Sequence, residues 1–285
     1  MKKIYRHYFF KLLVFFTVGF VLMFLSDLIF NIIDEKAIKD QIGKDNYYII
    51  KYIILIFVGS IVFAILSKFI RGNSSLIKIN EESKQHIILG IMLSLISAII
   101  QVCVFAFLLK MKYIRIHGFF DNISIIGFVS IALNVFRTAV FEELGFRSFV
   151  FGVINDRYKN VAVAAIASSI IFMLIHIGAN INFWGFINLF MLSIVFTQIV
   201  IISNTVIASI FAHFIWNFFH SVILSLKMYG GVYYPHLLNI EVSGNSYISG
   251  GELGLENSVV TSFFLITTMI ILFNAIKIMR KKSNN

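Results

Sequence analysis

Long runs of apolar residues dominate this chain, and polar residues collect in the short segments between the runs. The runs lack the apolar–polar alternation of a barrel strand, and most are longer than a soluble core helix. Lipid cannot hydrogen-bond free backbone groups, so these runs predict membrane-spanning α-helices. The predicted spans are Phe9–Ile33, Tyr48–Ile70, Ile87–Leu109, Ile123–Phe146, Val161–Ile177, Phe183–Ile202, Val206–Leu226 and Val259–Met279.

Hydropathy alone does not define the first run and the fourth run. The basic residues Lys2, Lys3 and Arg6 precede the first run, as they would in a secretory signal peptide. The run is too long for a signal-peptide core, and no small-x-small cleavage pattern occurs before Asp34, so we expect an uncleaved helix. The fourth run continues past polar residues into residues 148–154, so its C-terminal boundary is the least defined.

The composition fits a protein that lies mostly in lipid. Hydrophobic residues make up 59% of the chain and charged residues 13%, with a mean hydropathy of +0.90. Soluble domains carry about 25% charged residues. No internal repeat is visible, and no Pro/Ser-rich linker divides the chain. We therefore predict an all-α, polytopic helical membrane protein with about eight transmembrane helices, in which residues 1–285 form one domain.

Lysine and arginine residues in the connections predict the orientation, because they concentrate on the cytoplasmic side. The basic group that falls on one side of an eight-span arrangement consists of Lys2, Lys3, Arg6, Arg71, Lys78, Lys84, Arg157, Lys159, Arg280, Lys281 and Lys282. The opposite side carries Lys110, Lys112 and Arg115, which weigh against this assignment. We expect a multi-pass protein of the cell membrane with both termini in the cytoplasm.

The net charge of +10 suits a bilayer with anionic headgroups as the partner of the basic side. A nucleic-acid partner would need a basic, aromatic-lined groove on a soluble domain, and the sequence predicts no such domain. Cys103 is the only cysteine and lies in an apolar run, so neither an intrachain disulfide nor a cysteine-based metal site is expected. We interpret Cys103 as a packing residue.

Polar side chains within the predicted spans are energetically costly and are therefore candidates for function. A single histidine in a helix is usually a hydrogen-bonded core residue, but here three spans each offer a Glu or His to the interior. The three groups are Glu142, Glu143 and Arg147; Phe172 and His176; and His213, Asn217 and His220.

Helix geometry separates the two adjacent glutamates. Residues four apart share a helix face, so Glu143 and Arg147 can form an ion pair. Glu142 lies about 100° away, on a face with the small residues Thr138 and Gly145, and has no cation at that spacing. An unpaired carboxyl in a dry site is a candidate proton acceptor. The alternative is that both glutamates belong to a buried polar network without a chemical role.

The same spacing places each histidine group on one helix face. His176 shares a face with Ala165, Ser169 and Phe172, and the second face carries Ser209, His213, Asn217 and His220. Small residues on such a face allow close helix contact. A carboxyl, two imidazoles and an amide are the groups needed to activate water and to stabilise a tetrahedral oxyanion.

Three motifs in this order carry a resemblance to a known family. Glu-Glu-x-x-x-Arg, Phe-x-x-x-His and His-x-x-x-Asn resemble the CPBP family, which contains CAAX prenyl endopeptidases and bacterial bacteriocin-processing and immunity (Abi) proteins. The match covers Arg137 to His220, within a predicted catalytic core of residues 123–226. The family commonly has Gly after the Arg, where this chain has Ser148. The Tyr229–Asn257 segment carries no family motif.

The resemblance implies hydrolysis of a peptide bond at or within the membrane. By similarity, Glu142 and His176 would activate a water molecule, and His213 and Asn217 would stabilise the oxyanion. The residues expected to support this geometry are Glu143, Arg147 and Phe172. The roles of His220 and of the Tyr229–Asn257 segment are not predicted.

Cofactor dependence stays open at this point. The family is often described as metalloproteases, and Glu and His side chains can bind zinc. The sequence contains no His-Glu-x-x-His motif. We favour a glutamate-activated water without a tightly held metal ion.

The resemblance leaves more than one function open. A non-catalytic scaffold or immunity protein could use the same fold to bind a partner, whereas the lack of an internal repeat disfavours a transporter. The composition, rich in Ile, Lys, Asn and Phe, is typical of an AT-rich bacterial genome. We therefore expect a leader-bearing peptide or a membrane protein as substrate, in peptide maturation or bacteriocin self-immunity, rather than a prenylated C-terminus.

Overall fold

The computed structural model describes residues 35–71, 83–120, 124–228 and 237–283, together with the isolated positions 10, 14 and 17. The predicted first span, Phe9–Ile33, lies almost entirely outside the described residues. Within the described ranges the chain is helical apart from one short two-stranded ribbon and the connecting turns.

The helices and strands of the described ranges have the following bounds. The α-helices are α1 Glu35–Ile42, α2 Lys44–Arg71, α3 Ser83–Ser94, α4 Ile96–Lys110, α5 Ile125–Glu143, α6 Phe151–Tyr158, α7 Val161–Leu174, α8 Phe183–Ser203, α9 Val206–Phe218, α10 Ser246–Ser249 and α11 Val259–Ser283. The π-helical segments are Leu144–Val150 and Phe219–Ile223, and the 3-10 turns are Gly251–Leu253 and Leu255–Asn257. The strands are β1 Ile114–Phe119 and β2 Leu238–Val242.

Six helical stretches in the described ranges are long and apolar enough to cross a membrane. They are Lys44–Lys68, Lys84–Lys110, Ile125–Tyr158, Phe183–Ser203, Val206–Ile223 and Val259–Met279. The apolar helix α7 has only 14 residues, so it extends about 21 Å and falls short of a hydrocarbon core of about 30 Å. Each predicted span from the second to the eighth therefore has a helical counterpart. The all-α, multi-pass membrane architecture is confirmed.

The helix α8 is the innermost helix of the bundle. In its apolar 18-residue stretch 78% of the residues are buried, against 6% in that of α2. It packs against α7, α9 and α11, and Val195, Phe196 and Ile199 have no exposed surface. Because α8 is hydrophobic on all faces and enclosed by protein, its neighbours rather than lipid cover it.

Polar residues cap the N-termini of the four helices α5, α7, α8 and α9. The side-chain oxygen of each capping residue accepts hydrogen bonds from N–H groups of the first turn, which have no partner within the helix. The caps are Ser124 for α5, Asn160 for α7, Asn182 for α8 and Thr205 for α9. These bonds fix where each helix begins.

Two helix ends differ from the sequence-based prediction. The helix α7 ends at Leu174 rather than Ile177, because the chain turns through Gly178, which has a φ of +98°. The fourth span continues to Tyr158, because Leu144–Val150 stays helical with wider π-type turns. His176 consequently lies in a turn, and Arg147 lies in a π-helical segment.

Small residues bring α3 and α9 close together. A Cβ atom placed on Gly90 would lie 2.6 Å from the Cβ of Ala208, closer than two carbon atoms can approach. Close contact of this kind is a common way for membrane helices to pack. It fixes the start of α9, the helix that carries His213.

The two strands form an antiparallel ribbon that the hydropathy pattern did not predict. Ile114 pairs with Val242 and Phe119 with Leu238, with an irregularity between Ile116 and Gly118. The ribbon ties the segment after α4 to the segment before α11. It therefore anchors one end of the turns that lead to Glu256.

Candidate active site

One small cavity collects the candidate residues from separate helices. Glu142 from α5, His176 from the turn after α7, and both His213 and Asn217 from α9 line it, together with Phe172. Its volume is about 70 Å³, which is room for a few water molecules. The structure thus brings together the four residues that the family resemblance marks as catalytic.

The carboxyl of Glu143 holds two neighbours through one oxygen. Its Oε1 lies 2.8 Å from Nη1 of Arg147 and 2.8 Å from Nδ1 of His213, and the Glu143 side chain has no exposed surface. An arginine can only donate, so the carboxylate is the acceptor and Nδ1–H of His213 is assigned as the second donor. The predicted Glu143–Arg147 ion pair is confirmed. The additional bond to His213 was not predicted.

Two aromatic rings enclose the buried guanidinium of Arg147. Its central carbon lies 4.6 Å from the ring centre of Phe172 and 5.4 Å from that of Phe196. The ring of His213 stacks on Phe196 with 5.2 Å between the centres. A cation over aromatic faces is stabilised electrostatically when water is excluded. The rings therefore connect Arg147 and His213 a second time, without a hydrogen bond.

Glu142 is placed differently from its neighbour. Its side chain is 25% exposed, and its Oε2 makes no hydrogen bond to any described residue. The distance from this oxygen to Nε2 of His213 is 4.0 Å, too long for a direct hydrogen bond. Glu142 is thus a carboxyl at the cavity surface without a cation four residues away, as its helix face suggested.

A hydrogen bond to a backbone carbonyl orients the ring of His176, which lies beyond the end of α7. Its Nδ1 lies 2.8 Å from the carbonyl oxygen of Phe172. A carbonyl only accepts, so Nδ1 carries the proton and Nε2 is the accepting nitrogen of the neutral ring. The ring centre lies 4.9 Å from that of Phe172. The Phe-x-x-x-His spacing places the carbonyl within reach although His176 lies beyond the end of α7.

Asn217 and His220, which follow His213 in the chain, have different surroundings. Asn217 lines the cavity, whereas His220 lies in the π-helical segment, is fully buried and does not line it. Nε2–H of His220 donates to the carbonyl oxygen of Lys227 at 2.9 Å. The shared face expected for His213, Asn217 and His220 therefore holds for the first two only.

Sequence reasoning missed a carboxylate and an amide in the cavity wall. Glu256, in the 3-10 turn before α11, and Asn134, two turns before Glu142 on α5, both line the cavity. Neither belongs to a recognised motif. The only signal in the sequence is that Glu256 lies three residues before an apolar run, where a charge is costly to bury.

The donor groups of the cavity do not form a ready metal site. Among the residues that the structure describes, no three His, Cys, Asp or Glu side chains are grouped to hold one metal ion. Nδ1 of His213 faces Glu143, and Nδ1 of His176 faces a carbonyl oxygen, an arrangement that metal-binding histidines also have. Structural and catalytic zinc sites use at least three protein ligands.

Comparison with known proteins agrees with this geometry. Residues 124–219 match the family model described as Type II CAAX prenyl endopeptidase Rce1-like. Neither the characterised proteins nor the solved structures include a match to the chain. The matched region begins at the cap of α5 and ends just after Asn217, so it contains all three motifs. Over residues 124–219 this chain is similar to the CAAX-type endopeptidases, in agreement with the resemblance of its three motifs to the CPBP family.

Proposed function

We propose that this protein hydrolyses a peptide bond of a membrane-associated or leader-bearing peptide or protein, using water activated by Glu142 and His176. The observation that carries the proposal is the cavity itself. An unpaired carboxyl, an imidazole nitrogen without a proton and an amide meet around a volume of about 70 Å³ inside a bundle of membrane helices. Hydrolysis of a peptide bond by activated water requires the carboxyl, the imidazole and the amide in one place.

The carboxyl and the first imidazole act on the water molecule. Glu142 takes a proton from a water held in the cavity, and Nε2 of His176 accepts a hydrogen bond that orients the same water. The water oxygen then forms a bond to the carbonyl carbon of the substrate. A positioned general base contributes about 10²–10⁴ to such a rate.

The second imidazole and the amide act on the other side of the reacting carbonyl. Glu143 holds Nδ1–H of His213 and so turns Nε2 towards the cavity. When Nε2 carries a proton it donates to the developing oxyanion, and the carboxylate of Glu143 balances the charge of the ring. The side-chain amide of Asn217 is the second donor. Each donor of this kind contributes about 10²–10³.

The substrate class follows from the position of the cavity. Most of its wall residues lie on helices long and apolar enough to cross a membrane, so we expect the scissile bond to reach it at or within the bilayer. A bacterial-type composition favours a secreted-peptide precursor or bacteriocin-related peptide over a prenylated C-terminus. The cell membrane is the proposed location.

Cleavage by the purified protein tests the proposal. The protein is reconstituted into vesicles of phosphatidylethanolamine and phosphatidylglycerol and incubated with a library of internally quenched leader-type peptides. A farnesylated CAAX peptide and its unmodified copy are included to compare substrate classes. We expect cleavage of library members by the wild-type protein, detected by fluorescence and mass spectrometry, and none by Glu142→Gln. Absence of cleavage from every peptide class would favour a partner-binding role for the same fold.

The orientation in the membrane gives a second test. We propose that the connection after Arg71 and the C-terminus both face the cytoplasm, because the basic residues favour that side. Reporter fusions after Arg71 and after Asn285 should both show cytoplasmic activity, and a fusion at Gly43, between α1 and α2, serves as the opposite-side control. An extracytoplasmic signal from the Arg71 fusion would reverse the proposed topology.

A further inference from the structure

Glu256 is a buried carboxylate with no assigned role. It is 3% exposed and lines the same cavity as Glu142, although it lies outside the region that matches the family model. It belongs to the 3-10 turn Leu255–Asn257, which follows all three family motifs in the sequence. A second carboxyl in a cavity of about 70 Å³ is costly and needs a reason.

The turn that carries Glu256 is held in place by a dense hydrogen-bond network. Nδ2 of Asn188 on α8 donates to the carbonyl oxygens of Glu256 at 2.7 Å and Ser258 at 2.8 Å. The backbone N–H of Asn182 donates to the side chain of Asn257 at 2.8 Å, and Nδ2 of Asn182 to its carbonyl at 3.1 Å. The turn is therefore fixed to the start of α8, and the carboxyl of Glu256 is presented at a defined position.

One oxygen of this carboxyl is satisfied and the other is not. Nε1–H of Trp216, the neighbour of Asn217 on α9, donates to Oε1 of Glu256 at 2.7 Å. The buried Oε2 makes no hydrogen bond to any described residue. The buried Nδ1 of His220 also makes no hydrogen bond to any described residue. Glu256 is thus a rigidly placed carboxyl in the cavity wall, and its second oxygen has no hydrogen-bond partner among the described residues.

We propose that Glu256 is the general acid of the peptidase reaction and gives its proton to the departing nitrogen. This inference rests on the proposed function. Amide hydrolysis needs both a base for the water and an acid for the departing nitrogen, and Glu142 and Glu256 are two carboxyls in the wall of one cavity. Glu142, with its neighbouring imidazoles, supplies the base, and Glu256 supplies the acid.

The proposed step balances in atoms and protons. The water oxygen bonds to the carbonyl carbon while one of its protons passes to Glu142. As the carbon–nitrogen bond breaks, the proton of Glu256 passes to the nitrogen, which leaves as an amine, and the oxyanion reforms the carbonyl of a carboxylic acid. The proton on Glu142 then returns to Glu256 through cavity water. Glu256 touches the reacting nitrogen in this scheme and is a catalytic residue.

An ester analogue of the substrate tests this assignment. The probes are the internally quenched peptide that the wild-type protein cleaves fastest and a copy in which an ester replaces the scissile amide. An alkoxide can leave without prior protonation, whereas the nitrogen of an amide must be protonated before the carbon–nitrogen bond breaks. Glu256→Gln should lower amide cleavage by about 10²–10⁴ and change ester cleavage by less than about tenfold. Glu142→Gln should lower both, because both reactions need the activated water.

The ratio of the two rates is insensitive to partial loss of folded protein, since both probes are measured on one preparation. Gln at position 256 also keeps an acceptor for Nε1–H of Trp216. The matched control is Glu252→Gln, which alters an exposed carboxyl in the same loop and should leave both rates unchanged. Trp216→Phe removes the hydrogen bond that holds the acid, so it should lower amide cleavage more than ester cleavage.

Equal losses on amide and ester in Glu256→Gln would assign Glu256 a structural role and overturn the proposal. Unchanged cleavage of both probes would overturn it as well. In either case, inactivity of Glu142→Gln towards both probes would leave the proposed peptidase function intact. Loss of the peptidase function itself would appear as absence of wild-type cleavage of any amide probe.

Discussion

Replacing Glu142 with glutamine is expected to lower peptide cleavage by about 10²–10⁴ at equal amounts of folded protein. Glutamine has nearly the same shape, but it cannot take a proton from water. The side chain makes no ion pair with a cation on its own helix face and is 25% exposed to the cavity side. Little folding free energy should therefore depend on its charge. Cleavage rate and thermal unfolding of the purified variant measure the two effects separately.

The partner of this substitution is His176→Ala. If Glu142 and His176 act on one water molecule, either variant alone should be nearly as inactive as the double variant, because groups that act as a unit are not additive. Asn217→Ala should be milder, with a loss of about 10²–10³. Full activity of both single variants would end the peptidase hypothesis, and the partner-binding alternative would then be preferred.

Replacing Arg147 with alanine is expected to destabilise the protein by about 3–5 kcal/mol. The substitution leaves the carboxylate of Glu143 buried with only His213 as a partner, and it removes the hydrogen bond from Nη2 to the carbonyl oxygen of Ser193. It also takes the cation from between Phe172 and Phe196. Thermal unfolding in detergent and the amount of folded protein in the membrane are the measurements.

Arg115→Ala is the matched control, since Arg115 is exposed on β1 and its loss should change stability by less than about 0.5 kcal/mol. A double variant, Arg147→Met with Glu143→Gln, should recover part of the lost stability, because no buried charge is left without a partner. It should not recover activity, since His213 loses the carboxylate that orients it. Normal stability of Arg147→Ala with lost cleavage would instead place Arg147 in the chemistry.

The sequence predicted those features that depend on local spacing. The apolar runs gave the helices, and the four-residue spacing gave the Glu143–Arg147 ion pair. The bond from His213 to Glu143 joins residues 70 positions apart and depends on how α5 and α9 pack, which no local pattern encodes. Glu256 was missed for the same reason: a turn fixed by Asn182 and Asn188 on another helix brings it to the cavity.

Two boundaries show a different limit of sequence reasoning. Hydropathy counts apolar residues and does not detect where the backbone hydrogen bonds change, so it extended α7 past Leu174 and missed the π-helical segment after Glu143. His176 still reaches the cavity, because the carbonyl oxygen of Phe172 orients its ring. The Phe-x-x-x-His spacing therefore predicted that His176 lies at the site, but the cause is the hydrogen bond to the Phe172 carbonyl and not a shared helix face.

The π-helical segment Leu144–Val150 has a consequence for how the gene can change. A π-helical turn holds one residue more than an α-helical turn, and such segments often mark functional sites. Deleting one residue there and restoring regular α-helix would leave the residues downstream close to their present rotation, because the π-helical turns already accommodate one extra residue. Phe151 would then stay in the core that it now fills. A single-residue deletion in this stretch that spares Arg147 should therefore be less damaging than one within regular α-helix, where every residue downstream would rotate by about 100°.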